Sequence, residues 1–312
     1  MTVIMNEIKI FSPATVANVS CGFDVLGFCL DSVGDEMIVR KTTEKGVEIT
    51  KIIGADLPFE TKNNVAGVAA LAILEASNAT FGVEIEIYKN IKPGSGIGSS
   101  SASASGIVFA INELLGKPFN KTQLTEFAMK GEVVASGVEH ADNVAPGIFG
   151  GFTLVKGTTP LKIVELPTPS ELYATIIHPQ IEVKTSESRA ILPTEISLTN
   201  AVKQWANVGS LVSALHTSNY DLIADSLTDF IVEPHRSKLI PHFDEVKNAM
   251  LNSGALGAGI SGSGPSIFAL SKGKETANKV AKAIGKVYNK TGIEYEIYVS
   301  KINAEGIKVI ND

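Results

Sequence analysis

Lys92-Pro93-Gly94-Ser95-Gly96-Ile97-Gly98-Ser99-Ser100-Ser101-Ala102 is the stretch from which the rest of the chain can be read. Before it, Val83-Glu84-Ile85-Glu86-Ile87-Tyr88 alternates as a half-buried strand does; after it, residues 102–115 are mostly small or apolar and predict a helix. Gly94, Gly96 and Gly98 let the backbone take positive φ and approach a ligand closely. The helix start behind them aims unpaired N–H groups and a partial positive charge outward. Strand, glycine-rich loop and helix together make a phosphate site, with a plain flexible turn as the competing reading. The loop has neither the Gly-Lys-Ser/Thr ending of a P-loop nor the acidic residue that follows a Rossmann fingerprint by about twenty residues. It reads as a phosphate cradle of another kind.

The 312 residues leave room for two ordinary domains sharing one interface. A formal net charge of -6 without a basic run argues against a nucleic-acid surface and for a small-molecule partner. Cys21 and Cys29, the only cysteines, sit in apolar surroundings without companion ligands, so they read as reduced, buried thiols rather than a disulfide or zinc site. Met1 to Lys9 hold no apolar core of signal-peptide length, and no uninterrupted apolar stretch approaches the roughly 18 residues of a membrane span. The expectation is a cytosolic protein without membrane contact.

Ile8-Lys9-Ile10-Phe11, Met37-Ile38-Val39-Arg40 and Val47-Glu48-Ile49-Thr50-Lys51-Ile52 carry strand patterns, so the chain opens as a sheet. The alanine-rich run 64–77 predicts a helix. Another starts at 122–130, with Thr122 as N-cap, and ends before Gly137. Gly150 to Val155 reads as a strand entered through glycines. From Leu161 the pattern restarts, with strands at 162–166 and 172–178 and helices at 198–216, 220–228 and 241–252. A glycine-serine stretch, a strand at 266–270, a helix at 274–289 and a strand at 294–299 complete it. The class is α+β, divided near residue 160 into domains 1–160 and 161–312.

Four constellations bear chemistry. In Ser12 to Gly27, Asn18 and Asp24 are presented on a glycine-containing loop, unless Asp24 is only a turn former. In Gly131 to Pro146, Glu132 stands among small and apolar residues and should meet a cation, either a side chain or Mg²⁺. His140 and Asn143 are spaced to face one cavity, the alternative being a structural histidine. Arg189, in Thr185-Ser186-Glu187-Ser188-Arg189, and Arg236, in Glu233-Pro234-His235-Arg236, offer forks that match carboxylates, although most arginines are solvated. Ile260 to Ser266 is a second glycine-rich loop, a hairpin turn or a lining for the same cleft.

As a set these stretches resemble the GHMP small-molecule kinases, and more closely their homoserine kinase branch. Ser12 to Gly27 is similar to the family's N-terminal motif, Pro93 to Ala102 to its phosphate loop with Ile97 in place of a leucine, and Gly262 to Ser266 to its third motif. His140 to Pro146, Glu233-Pro234-x-Arg236 and Thr185-x-x-x-Arg189 look like the branch's own. The resemblance runs from about Ile8 to beyond Leu270. It implies an N-terminal domain like the second domain of ribosomal protein S5, with a left-handed β-α-β unit, and a ferredoxin-like C-terminal domain. It also implies a homodimer, and transfer of the γ-phosphoryl of ATP to the hydroxyl of L-homoserine, with Mg²⁺, in threonine biosynthesis.

Position by position, the resemblance implies that Pro93, Gly94, Ser95, Gly96, Ile97, Gly98, Ser99, Ser100, Ser101 and Ala102 wrap the phosphates through backbone N–H groups. Ser100 and Glu132 match the Mg²⁺ pair, and Asn64 and Lys89 positions near the nucleoside. Arg189 and Arg236 would clamp the α-carboxylate, while Asn18, Asp24, His140, Asn143 and Thr185 line the remaining pocket, with Asp24 and Asn143 in the catalytic part. Other branches pair such an aspartate with a lysine of the first motif. Thr15-Val16-Ala17 contains none, which favours orienting the hydroxyl over removing its proton. The readings that compete are a kinase for another hydroxylated metabolite and a non-catalytic ligand sensor of the same fold. A serine hydrolase is disfavoured because no Gly-x-Ser-x-Gly elbow stands in the required context.

Overall fold

A computed structural model describes residues 6–137 and 140–310, so Val138 and Glu139 of the second constellation lie outside the described residues. The first half consists of β1 (Glu7–Ala17), β2 (Leu26–Thr42), β3 (Val47–Ile53), α1 (Val65–Ala76), β4 (Gly82–Tyr88), α2 (Ser99–Leu114), α3 (Lys121–Ser136), α4 (Val144–Phe149), β5 (Phe152–Thr158) and β6 (Leu161–Leu166). The second consists of β7 (Leu172–Pro179), α5 (Thr185–Ala190), α6 (Leu198–Thr217), α7 (Tyr220–Ser226), α8 (Glu233–Arg236), α9 (Phe243–Asn252), β8 (Gly257–Ile260), β9 (Ile267–Lys272), α10 (Lys274–Tyr288), β10 (Tyr295–Lys301) and β11 (Lys308–Val309).

The first sheet has the order β11-β1-β2-β4-β3, with β5 paired to the other end of β2 and β6 to β5. β3 and β4 are parallel and are joined through α1, as a parallel pair requires a crossover. Strand alternation puts Ile10, Met37, Val39, Ile85 and Ile87 on one face, where they pack under α1 and α2. Asn64 caps α1, its Oδ1 accepting from the N–H groups of Ala66 and Gly67. For α3 the N-cap is Asn120, in a capping box with Gln123, rather than Thr122. α3 ends on Gly137 in a left-handed conformation, where glycine carries no Cβ penalty.

The second sheet runs β10-β7-β9-β8 with every neighbouring pair antiparallel. Numbered within this half, that is strand order 4-1-3-2 with helices after the first and third strands, the ferredoxin-like arrangement. Its outer face packs on α9 and α10 through Val246, Met250, Val280 and Ile284. Its inner face joins the first half: Phe28 of β2 meets Phe152 at 5.0 Å between ring centroids and Phe268 of β9 at 5.8 Å. Leu211, Leu215 and Ile223 of α6 and α7 close the same core. This shared core explains why no linker marks a boundary in the sequence. The division 1–160 and 161–312 cuts the turn of the β5–β6 hairpin, whose second strand pairs in the first sheet. We propose instead a division within 167–171, with β11 returning to pair with β1.

Candidate active site

A cleft of about 520 Å³ opens where the β1–β2 turn, the glycine-rich loop, residues 140–143, α5, α8 and the 261–264 turn meet. Its floor is the glycine-rich loop. α2 begins at Ser99, three residues earlier than the sequence pattern predicts, because the serines of the loop join the helix. Gly98 is the N-cap, with φ 71, and a Cβ there would lie 2.2 Å from Thr15 Oγ1. Gly96, with φ 81, packs so closely on the 261–264 turn that a Cβ would stand 2.5 Å from the Gly264 carbonyl oxygen. Neighbours fasten the loop on two sides: the Thr15 N–H donates to Ile97 O at 3.2 Å, and Ser261 Oγ donates to Gly96 O at 2.8 Å. The first N–H groups of α2 therefore face the cleft on a backbone that is already held.

Glu132 of α3 stands against this helix start. It is 4 % exposed, and its Oε2 accepts from Ser100 Oγ at 3.1 Å and Ser101 Oγ at 2.9 Å. Burial pushes its carboxyl up to about 7, opposed by the two serine hydrogen bonds and by Lys89. Hydroxyl and carboxylate oxygens are the donor set of a hard cation. Among the described residues no group of three or more His, Cys, Asp or Glu side chains forms an all-protein metal cage. This suits Mg²⁺, which is commonly held by one or two carboxylates together with phosphates and waters.

The opposite end is built for charge of the other sign. Asn18, Val19 and Ser20 follow one another at φ 72, 44 and 56, a left-handed run that is unfavourable above all for the β-branched Val19. It turns the chain so that the Asp24 N–H donates to Asn18 Oδ1 at 3.0 Å. Arg189 Nη2 donates to both Asp24 oxygens, at 2.8 and 2.9 Å. Arg236 is 3 % exposed; its Nε donates to Ser188 O and its Nη1 to Gly262 O, each at 3.0 Å. Burial and the neighbouring Arg189 lower it to about 10, so it remains a cation at neutral pH. Arg189 is paired directly with Asp24, whereas Arg236 donates to backbone carbonyls and meets the charges of Asp24, Asp229 and Asp142 only at longer range. His140 is half-buried and lowered mainly by burial, hence a neutral imidazole. Asn143 Oδ1 accepts from Thr15 Oγ1 at 3.0 Å, and Thr185 Oγ1 lies 3.4 Å from Ser263 Oγ.

Asn18, Asp24, Asn64, Lys89, Pro93, Gly94, Gly96, Gly98, Ser99, Ser100, Ser101, Glu132, His140, Asn143, Thr185, Arg189 and Arg236 all line this one cleft. Ser95, Ile97 and Ala102 do not. Ile97 and Ala102 turn into the shared core, and Ser95 is fully buried with its carbonyl accepting from the Ser266 N–H at 3.3 Å. Lys89 sits at the floor, ion-paired with Asp35 and donating to Ser99 O at 2.7 Å and Ser103 Oγ at 3.1 Å. Its ammonium holds the loop from beneath. Asn64 spends both ends of its amide on structure, since its Nδ2 donates to Pro58 O at 2.7 Å.

Sequence reasoning missed Phe23, Asp142 and the apolar wall formed by Leu57, Pro58, Val65, Val134 and Ala135. Asp142 is buried and pushed up to about 7 by desolvation and by the charge of Asp24. No local pattern flags these residues, because each owes its place to the packing of separate segments.

Comparison with known proteins agrees with this geometry. Residues 63–151 match the family described as GHMP kinases N terminal domain, and residues 211–290 that described as GHMP kinases C terminal. The homoserine kinase of Chlorobium phaeobacteroides is 44 % identical over 98 % of this chain and 100 % of its own length. The crystal structure of homoserine kinase from Cytophaga hutchinsonii superposes with a TM-score of 0.96 at 51 % identity, covering 99 % of each chain. Mevalonate kinase of L. major shares the fold at a TM-score of 0.72 and 14 % identity, over 94 % of this chain and 96 % of its own.

Proposed function

The chain belongs to the GHMP kinases and, among them, to the homoserine kinases, and from that premise we propose that it transfers the γ-phosphoryl of ATP to the side-chain hydroxyl of L-homoserine, forming O-phospho-L-homoserine for threonine biosynthesis. The observation that carries this reading is the convergence of Arg189 and Arg236 on one end of a cleft whose other wall is the glycine-rich loop. An α-carboxylate gives Arg236, whose hydrogen bonds go to backbone carbonyls, a direct anionic partner. A hydroxyl on the same small molecule then extends toward Asp24, Asn143 and the start of α2.

The apolar wall of Leu57, Pro58, Val65 and Val134 takes the base, and the N–H groups of the glycine-rich loop and of α2 receive the phosphate oxygens. Ser100 and Glu132 would hold Mg²⁺, which when bound neutralises charge across the phosphates. Asp24 orients the acceptor hydroxyl and Asn143 steadies it, held in turn by Thr15. Phosphoryl transfer through a loose transition state asks for alignment and charge neutralisation more than for a strong base. Arg189 commits its Nη2 to Asp24, so an arriving carboxylate competes for that nitrogen and frees the aspartate for the other end of the substrate.

We place the protein in the cytoplasm, in keeping with two buried free thiols. We propose a homodimer, supported by the exposed stripe Leu198, Val202 and Trp205 at helical spacing on α6; sedimentation at micromolar concentration tests it. The activity is tested by ADP release with L-homoserine, L-threonine, L-serine, mevalonate and shikimate as acceptors. Turnover with L-homoserine above all others is expected, and none with L-homoserine at millimolar concentration would end the reading.

A further inference from the structure

Phe23 has no role in the chemistry above, yet both substrate-facing guanidiniums lie over its ring. Arg236 Cζ is 4.9 Å from the ring centroid and Arg189 Cζ 5.4 Å. The two arginines come from different helices, α8 and α5, and the ring from a third segment, the β1–β2 turn. The ring is half-buried, so it is not simply core.

Two like charges held this close repel; Asp24 bonds directly to Arg189, while Arg236 donates to backbone carbonyls and feels Asp24, Asp229 and Asp142 only at longer range. The negative face of an aromatic ring attracts a guanidinium without using any of its N–H donors. It also brings no formal charge that would compete with an anionic ligand. A carboxylate at this position would neutralise the receptor, and an aliphatic side chain would set an apolar surface against both cations without the attraction of a π face. The ring's own position is fixed by the turn. The Gly22 N–H donates to Asn18 O at 2.8 Å and the Val25 N–H to Gly22 O at 3.0 Å. Asn18 Nδ2 donates to Gly262 O at 2.7 Å, the same oxygen that accepts from Arg236 Nη1. Ring and arginine are thus indexed to one carbonyl.

We infer that Phe23 is a positioning residue whose ring holds the Arg189 and Arg236 guanidiniums together as a single carboxylate receptor. The inference deepens the proposed reading of the site and rests on it. It predicts that Phe23 acts on affinity for the carboxylate and not on the phosphoryl-transfer step.

The experiment is steady-state kinetics of Phe23→Leu and Phe23→Tyr, with L-homoserine and with 3-amino-1-propanol, the same molecule without its carboxylate. Phe23→Leu should raise the L-homoserine KM by roughly 5- to 30-fold. The ATP KM and the efficiency with 3-amino-1-propanol should stay within about 2-fold, and Phe23→Tyr should restore most of the L-homoserine affinity because it restores the π face. A Phe23→Leu enzyme with an unchanged L-homoserine KM overturns the inference while leaving the reading of the site intact. An equal loss with both acceptors, or in the ATP KM, shows a structural role and overturns it too. Absence of L-homoserine turnover by the unaltered protein removes the reading itself, and this inference with it.

Discussion

Replacing Arg236 with leucine separates a binding role from a structural one, because the two make opposite demands on stability. The guanidinium is 3 % exposed and uses two of its N–H donors on the carbonyls of Ser188 and Gly262. Burial lowers it to about 10, so the empty protein carries a desolvated cation that the substrate carboxylate would satisfy. Removing one partner of such a pair costs about 2–5 kcal/mol, or about 30- to 4,000-fold in the L-homoserine KM. Stability should change little. Gly262 O keeps its bond from Asn18 Nδ2, the loss of the donor to Ser188 O costs about 1–3 kcal/mol, and removal of the buried charge offsets it. The assay is the ratio of L-homoserine to ATP KM in the variant, beside thermal unfolding of the empty protein. Parallel increases in both constants, or a collapse of Tm with normal activity per folded molecule, would refute the reasoning.

Glu132→Gln should raise the Mg²⁺ concentration for half-maximal activity at least about 10-fold with little change in the L-homoserine KM; an unchanged Mg²⁺ titration takes Glu132 out of the cation site. Relative to the unaltered protein, the same variant should be more stable in metal-free buffer at pH 8 than at pH 5. The folded-state value of about 7 is raised, so the native carboxylate favours folding when protonated and loses that advantage as pH rises through 7. His178 works in the opposite direction. Burial lowers it to about 4, the unfolded chain binds the extra proton between about 4 and 6.5, and up to about 3 kcal/mol of stability is lost as pH falls through that window. His178→Gln should flatten this acid limb in chemical denaturation, and an unaltered limb would assign it to other groups.

The glycine-rich loop, the strands and the long helices were legible because each has a local cause: alternation, alanine-rich spacing or φ > 0. The α+β class and the ferredoxin-like second half followed from them and from the resemblance. α4 and α5 are each a single turn or so, short enough that no periodicity develops. β8, Gly257–Ile260, read as part of a glycine-serine stretch, since glycine carries no strand signal. The division proposed within 167–171, in place of 160, was hidden for a different reason. A division is visible in sequence only when a linker separates two cores, and here Phe28, Phe152 and Phe268 belong to one. Lys89 shows the limit at the site. The resemblance puts it near the nucleoside, and nothing in the local sequence shows its pairing with Asp35, distant in the chain.

The cleft gathers several groups that oppose folding. Val19 holds a left-handed φ, and burial pushes Glu132 and Asp142 up and Arg236 down. Each works against folding in the empty protein, and each lies where a ligand of opposite charge arrives or beside a group that meets one. On the proposed reading, ligand binding would both add contacts and relieve these charges, in two separable halves: a cation with phosphates at Glu132, and a carboxylate at Arg189 and Arg236. At 100 times its Kd a single ligand stabilises by about 2.7 kcal/mol. In Arg236→Leu the thermal shift given by L-homoserine should vanish while that given by Mg²⁺ with ATP persists, and Glu132→Gln should show the reverse. A single variant abolishing both shifts would mean that the two ends act as one structural unit rather than as two receptors facing a shared axis.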